Sequence, residues 1–297
     1  MIDRYQLRYF LAVVDHGNFS RAAERCNVSQ PTLSVGIAKL ERFLGSTLFL
    51  RSSQRIELTA AGSRFLLHAR RIESEFNQAL QAMTDIGPSA APLRIGVLRS
   101  VPGALLARAA AAMRTADPAA QVELVEGSER ELNGHVARGR VDCALTLVRR
   151  GGDRFLEEPL FEEGYALALP ADHPRAAEAV IAAETLADHT MIVRRHCEML
   201  SDTSRHFIER GVRPHFAYRA TNDERVLQLV AAGLGITVMP DCYIRDDVTR
   251  PKLAGFDVRR TIGLVFGVQS EGLAGTPPAF LHALRVAAAT PVSAMTA

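Results

Sequence analysis

Two short stretches carry residues whose types and spacing could do chemistry. In "NVSQPTLSVGIAKLE", Asn27 to Glu41, the polar side consists of Gln30, Thr32 and Ser34, with Pro31 among them. An amide and two hydroxyls make directional hydrogen bonds rather than ion pairs. In "RRHCEML", Cys197 follows Arg194, Arg195 and His196 and precedes a helical pattern. Neighbouring cations and a helix N-terminus lower a thiol's pKa and favour its oxidation. The competing reading of Cys197 is a buried, inert cysteine. Other chemistry finds no foothold. Cys26, Cys143, Cys197 and Cys242 show no paired metal spacing, and His189, His196, His206 and His215 are not at metal-binding helical spacing. No phosphate loop or nucleophile elbow occurs, and "GLGITV" follows a helix rather than a strand. The expectation is a chain that is not an enzyme, with no metal and no cofactor.

The elements that position the first stretch read as three short helices and a hairpin. Leu7, Phe10, Leu11 and Val14 give a first amphipathic helix, stopped at Gly17, with Ser20 as the cap of a second. Ser29 caps a third helix, Pro31 fits its first turn, and Leu33, Ile37, Leu40 and Leu44 form one apolar stripe ended by Gly45. Gly36 is anomalous, since a mid-helix glycine costs about 1 kcal/mol relative to alanine. "TLFLRSSQRIEL" then reads as two short strands about a polar turn. Helix, helix, tight turn, helix, hairpin is a winged helix-turn-helix, spanning 1–58.

Thr59 caps a long helix in which Phe65, Ala69, Ile72, Phe76, Ala79, Met83 and Ile86 step alternately by four and three. That seam has the 3.5-residue period of a helix that pairs with a copy of itself. The linker "GPSAAP" follows, so 59–91 reads as a dimerisation helix and hinge. Residues 1–87 hold 11 Lys/Arg against 8 Asp/Glu, and the remainder 24 against 25. A basic bias confined to this end points to a polyanionic partner. The start "MIDRYQLRYF" is not a signal peptide, no apolar run spans a membrane, and scattered thiols fit a reducing cytoplasm.

From residue 92 on, apolar strands alternate with helices: "LRIGVL", "QVELVEG" and "VDCALTL", then "GYALALP", "TMIV", "FAYRA", "GITVMP" and "TIGLVFGV". The pattern predicts a parallel α/β sheet in each of two subdomains, I about 92–161 and 267–297, and II about 162–266, with a ligand cleft between them. Thr221-Asn222-Asp223-Glu224 reads as a capping box.

"NFSRAAE", "VSQPTLS", "KLERFLG", "LFLR" and "LTAAG", followed by "LRIGVL", "GRVDCAL" and "VAAGLGITVMP", run in order along nearly the whole chain. They resemble the LysR-type transcriptional regulators. The resemblance implies a winged helix-turn-helix, a long linker-helix dimer usually built into a tetramer, and an α/β effector domain of periplasmic-binding-protein type. Its partners would be double-stranded operator DNA, a small effector, RNA polymerase and its own copies. DNA contacts carry over to Gln30, Pro31, Thr32 and Ser34, where Gln30 can offer a bidentate amide to adenine and Pro31 and Thr32 can touch a thymine methyl. Lys39, Arg51 and Arg55 are expected on phosphates or in the minor groove, and Ser20 and Arg21 at a helix end that can hold a phosphate. After Ser34, Val35-Gly36 stands where many relatives carry a basic or large polar pair, so sequence preference should be this chain's own. Effector contacts carry over to Arg99, Ser100 and Val101, to Ser128, to Thr146, to Arg195 and His196, and to Thr221 and Asn222. With Arg194, these cations favour an anionic effector. The alternative is a redox-responsive regulator using Cys197, although the next cysteine, Cys242, is distant in sequence.

Overall fold

A computed structural model describes residues 2–51, 56–84, 92–148 and 155–289. The Asp3 carboxylate and the Gln6 side chain cap α1 (Arg4–His16) reciprocally. Gly17, at φ +61°, stops that helix. α2 (Phe19–Arg25) follows, then α3 (Gln30–Leu44), whose Ser29 cap and Gly45 stop are those expected. Phe10, Leu33, Ile37 and Leu40 are fully buried where these helices meet. β1 (Phe49–Arg51) pairs antiparallel with β2 (Ile56–Leu58) as the base of the wing. Arg55 and the side chain of Arg51 lie outside the described residues.

α4 (Ala60–Thr84) begins on Thr59, whose Oγ1 accepts from Gly62 N at 2.9 Å. The seam read as a self-pairing stripe divides here, which corrects the expectation for its first two members. Ala69 is fully buried and Phe65 packs edge-on against Phe10 at 5.1 Å, both in the core of their own unit. Ile72, Phe76 and Ala79 are exposed, and the side chain of Met83 lies outside the described residues. The helix must first seat on α1, so only its distal part is left for a partner. Arg4 fixes that seating by a two-pronged bond to Glu73 and by lying 3.7 Å above the Phe76 ring.

The chain divides into two compact units, the second comprising Ala90–Val136 and Val141–Ala297. It runs through β3 (Leu93–Leu98), α5 (Gly103–Ala116), β4 (Val122–Gly127), α6 (Glu129–Ala137), β5 (Cys143–Leu147), β6 (Leu156–Glu163), β7 (Tyr165–Pro170), β8 (Val180–Ile181), β9 (Thr190–Arg194), α7 (Leu200–Glu209), β10 (His215–Ala220), α8 (Asp223–Ala231), β11 (Thr237–Pro240), β12 (Val248–Thr249), β13 (Lys252–Leu253), β14 (Arg260–Phe266), α9 (Gly272–Gly275) and α10 (Ala279–Ala289). The first sheet has the order β4-β3-β5-β14-β6. β3, β4 and β5 are parallel, as expected, while β14 runs antiparallel to both β5 and β6. The sheet is therefore mixed. Arg260–Phe266, expected in the second subdomain, belongs to the first. The second half contains a parallel pair β9–β10 and an antiparallel trio β11-β7-β12. Each half has its own apolar core, around Leu145, Phe266 and Phe280 in one and around Leu167, Leu169 and Ile181 in the other.

Candidate functional site

α3 presents two unlike sides. Its inner stripe is buried, while Gln30, Pro31, Thr32, Val35 and Lys39 are exposed and Ser34 is half-buried. The outer polar groups order one another: Gln30 Nε2 donates to Ser34 Oγ at 3.0 Å, and the Ser29 and Thr32 hydroxyls share a bond of 2.7 Å. A short, ordered polar ridge on the exposed face of a helix has the bonding capacity to read base edges in a major groove. Glu41, which sequence reasoning missed, ties the wing to this helix: its Oε1 accepts from Leu48 N at 2.7 Å. Its only signal was a carboxylate beside the apolar stripe.

The second helix needs a correction. Its cap is Asn18 rather than Ser20, with Asn18 Oδ1 accepting from Ser20 N at 2.8 Å and Arg21 N at 3.1 Å. Those two amides are thus already bonded. The side chains of Ser20 and Arg21 remain exposed.

In the second unit, the buried cations Arg194 and Arg260 are paired with carboxylates. Arg260 is almost wholly buried at the start of β14; its Nε and Nη2 donate to Glu163 Oε1 at 2.9 and 2.7 Å, and its Nη1 donates to Glu198 Oε1. Ser100, also buried, accepts from Arg260 Nη1 at 2.7 Å and donates to Glu198 Oε2 at 2.9 Å. The Tyr165 hydroxyl donates to Glu198 Oε1 at 2.6 Å. Burial works to raise the Glu198 carboxyl, but Arg260 and the Tyr165 hydroxyl outweigh it and hold the group below its ordinary range. Beside this cluster, Cys197 Sγ receives Arg194 Nη1 at 3.3 Å, and Arg194 also forks onto Asp223. Burial pushes the Cys197 thiol above its ordinary value; the Arg194 guanidinium pulls against it and Glu198 adds to the rise. All four cysteines are free thiols.

Both parts of the chain match known families. The family described as bacterial regulatory helix-turn-helix protein, lysR family, matches residues 5–63, and the LysR substrate binding domain matches residues 87–275. The chain belongs to the lysR family. Among its relatives, the DNA-binding transcriptional dual regulator OxyR of Escherichia coli (strain K12) is 33% identical over 267 residues, 88% of either chain. The hydrogen peroxide-inducible genes activator of Haemophilus influenzae (strain Rd) is 31% identical over 268 residues, 88% of this chain and 89% of that one. A full-length OxyR variant from Pseudomonas aeruginosa superposes with a TM-score of 0.54 at 26% identity, covering 97% of this chain and 95% of that one. This lysR-family chain is thus a DNA-binding transcriptional regulator with an α/β effector domain.

The family's expected effector residues fall into different environments in this regulator. Ser100 lies in the buried cluster. Val101 is a core residue, packed with Leu98 and Leu105. Arg99 is paired with Glu131 at 3.1 Å. Ser128 caps α6 through reciprocal bonds with Glu131, whose carboxyl those Ser128 bonds hold below its ordinary range. Thr146 is fully buried and its Oγ1 has no partner among the described residues. The α8 cap is Asn222, not Thr221: Asn222 Oδ1 accepts from Arg225 N at 2.8 Å. Thr221, Arg195 and His196 are exposed. Of the cations that favoured an anionic effector, Arg99 and Arg194 already hold carboxylates. Glu163, Tyr165, Glu198 and Arg260 were missed, because four residues scattered over about a hundred positions leave no local pattern.

Proposed function

We propose that this regulator reads an operator with α3, Gln30, Pro31, Thr32, Ser34 and Val35 facing base edges while Ser20, Arg21, Lys39 and the wing residues Arg51 and Arg55 meet phosphates. The ordered Gln30–Ser34 pair on the exposed side of α3 carries this reading. The distal face of α4, Ile72, Phe76 and Ala79, serves self-association in a dimer or homotetramer, and genomic DNA as partner puts the chain in the bacterial cytoplasm with RNA polymerase. Footprinting of the full-length protein tests the assignment. Gln30→Ala with Ser34→Ala should erase operator preference while oligomers persist, and a surviving specific footprint defeats it.

For the input, Cys197 is favoured over an anionic effector, on the Arg194 contact to its sulfur and on relatives named as hydrogen peroxide-inducible activators. A hydroperoxide oxidises the thiol to a sulfenic acid: sulfur gains an oxygen, the O–O bond breaks, and water or an alcohol leaves. The raised thiol pKa sets a high threshold, and Arg194 is the group that stabilises the thiolate on the way. Cys197→Ser should abolish the peroxide-dependent change in DNA binding. A response intact in that variant refutes the thiol reading and returns attention to Arg195, His196, Thr221 and Asn222 as contacts of a non-covalent effector.

A further inference from the structure

The turn between β9 and α7 sends one carboxylate into the other half of the domain. The Glu198 side chain is only 8% exposed. Its partners come from three separate elements: Ser100 just after β3, Tyr165 at the start of β7 and Arg260 at the start of β14. Arg260 needs no second carboxylate for neutrality, because Glu163 already bonds two of its nitrogens. Glu198 therefore brings a surplus negative charge into a buried site. That surplus is tolerated because one guanidinium nitrogen and two hydroxyls converge on its oxygens. Without the side chain, the same donors would face an empty, carboxylate-shaped space, and such a charge-assisted set binds a carboxylate well.

We propose that Ser100, Tyr165 and Arg260 form a carboxylate socket whose resident occupant is Glu198, and that this lodged side chain latches the Cys197 turn to the first sheet. A small free carboxylate is the ligand class the socket accepts in place of Glu198. Adjacent residues are about 3.8 Å apart at Cα, so a shift of the Cys197 backbone is passed directly to Glu198. An oxygen added to that half-buried sulfur needs room, and the turn gives way by drawing Glu198 out. The coupling step rests on Cys197 being the responding thiol; the socket itself does not.

The test uses reduced full-length protein and follows N-ethylmaleimide labelling at pH 7 on the tryptic peptide His196–Arg205. In Glu198→Ala the melting temperature should fall and labelling of Cys197 should quicken about tenfold, as expected when a local opening becomes easier. Added formate, at constant ionic strength against chloride, should restore both. Labelling unchanged in Glu198→Ala, or restored equally by chloride, overturns the socket. Glu198→Gln keeps the shape and covers the case in which the alanine variant does not fold. Loss of the Glu198 charge by itself favours the thiolate and speeds labelling, so the readout for this variant is formate: with its socket filled it should ignore formate, and labelling slowed by formate overturns the proposal. Neither readout involves peroxide, so the socket can fail while the peroxide response stands, and the reverse.

Discussion

A methyl group on Gly36 would lie 2.6 Å from Cδ2 and 2.9 Å from Cε2 of the Tyr9 ring. The glycine is thus on the buried side of α3, against α1, and of the Val35-Gly36 pair only Val35 lies on the exposed face proposed to read DNA. Close helix packing accounts for the propensity that Gly36 forfeits. Overpacking costs about 1–3 kcal/mol and alanine returns about 1 kcal/mol of helix propensity, so Gly36→Ala should destabilise by about 1 kcal/mol. In a Tyr9→Ala background the same change should stabilise. Thermal unfolding of the four proteins of this cycle measures the sign reversal.

Val35 is 54% exposed beside the polar ridge of α3. Val35→Arg should add a phosphate contact and steepen the dependence of log affinity on log salt by about 0.9, and Lys39→Ala should flatten it by a similar amount. DNA titrations over a salt series decide this. A slope that neither change moves would place α3 away from the duplex.

α4 offers a contrast within one helix. Phe76→Glu should dissociate the oligomer in sedimentation while leaving the fold of the N-terminal unit intact, because Phe76 is exposed beneath Arg4. Phe65→Ala should instead destabilise that unit by about 3 kcal/mol, the low end for a phenylalanine truncation, since its half-buried ring packs on Phe10. If both act only on association, the division of the seam is wrong.

The sequence was most legible where a feature is local. Ser29, Gly17 and Gly45 act within one helical turn, so their positions as cap and stops could be read directly. Asn18 was passed over for Ser20 because both are good caps and only the backbone conformation chooses between them. β6 was not recognised, since Pro159 and the register shift opposite Ile262 and Gly263 break its alternation. The heptad seam was real as a spacing but not as one surface, because α1 covers its first turns. The Glu198 socket was invisible for a different reason. It depends on β14 returning antiparallel into the first sheet, a tertiary pairing that strips of strand pattern do not encode.

His206, nine residues after Cys197, is buried against Phe207 and Phe256, and its Nε2 has no partner among the described residues. Burial, and then the Arg210 guanidinium, push its pKa below the ordinary value. The unfolded chain therefore binds the proton more readily than the folded one. Stability from this group is complete above the unfolded value of about 6.5 and is lost as pH falls towards the lower folded value. His173 shifts in the same direction, so the wild type should lose stability on acidification through both. His206→Phe should keep the His173 part and lose the His206 part. Denaturant unfolding at pH 7.5 and 5.5 tests it: a difference between the two pH values as large in the variant as in the wild type would show that His206 is not a buried neutral imidazole.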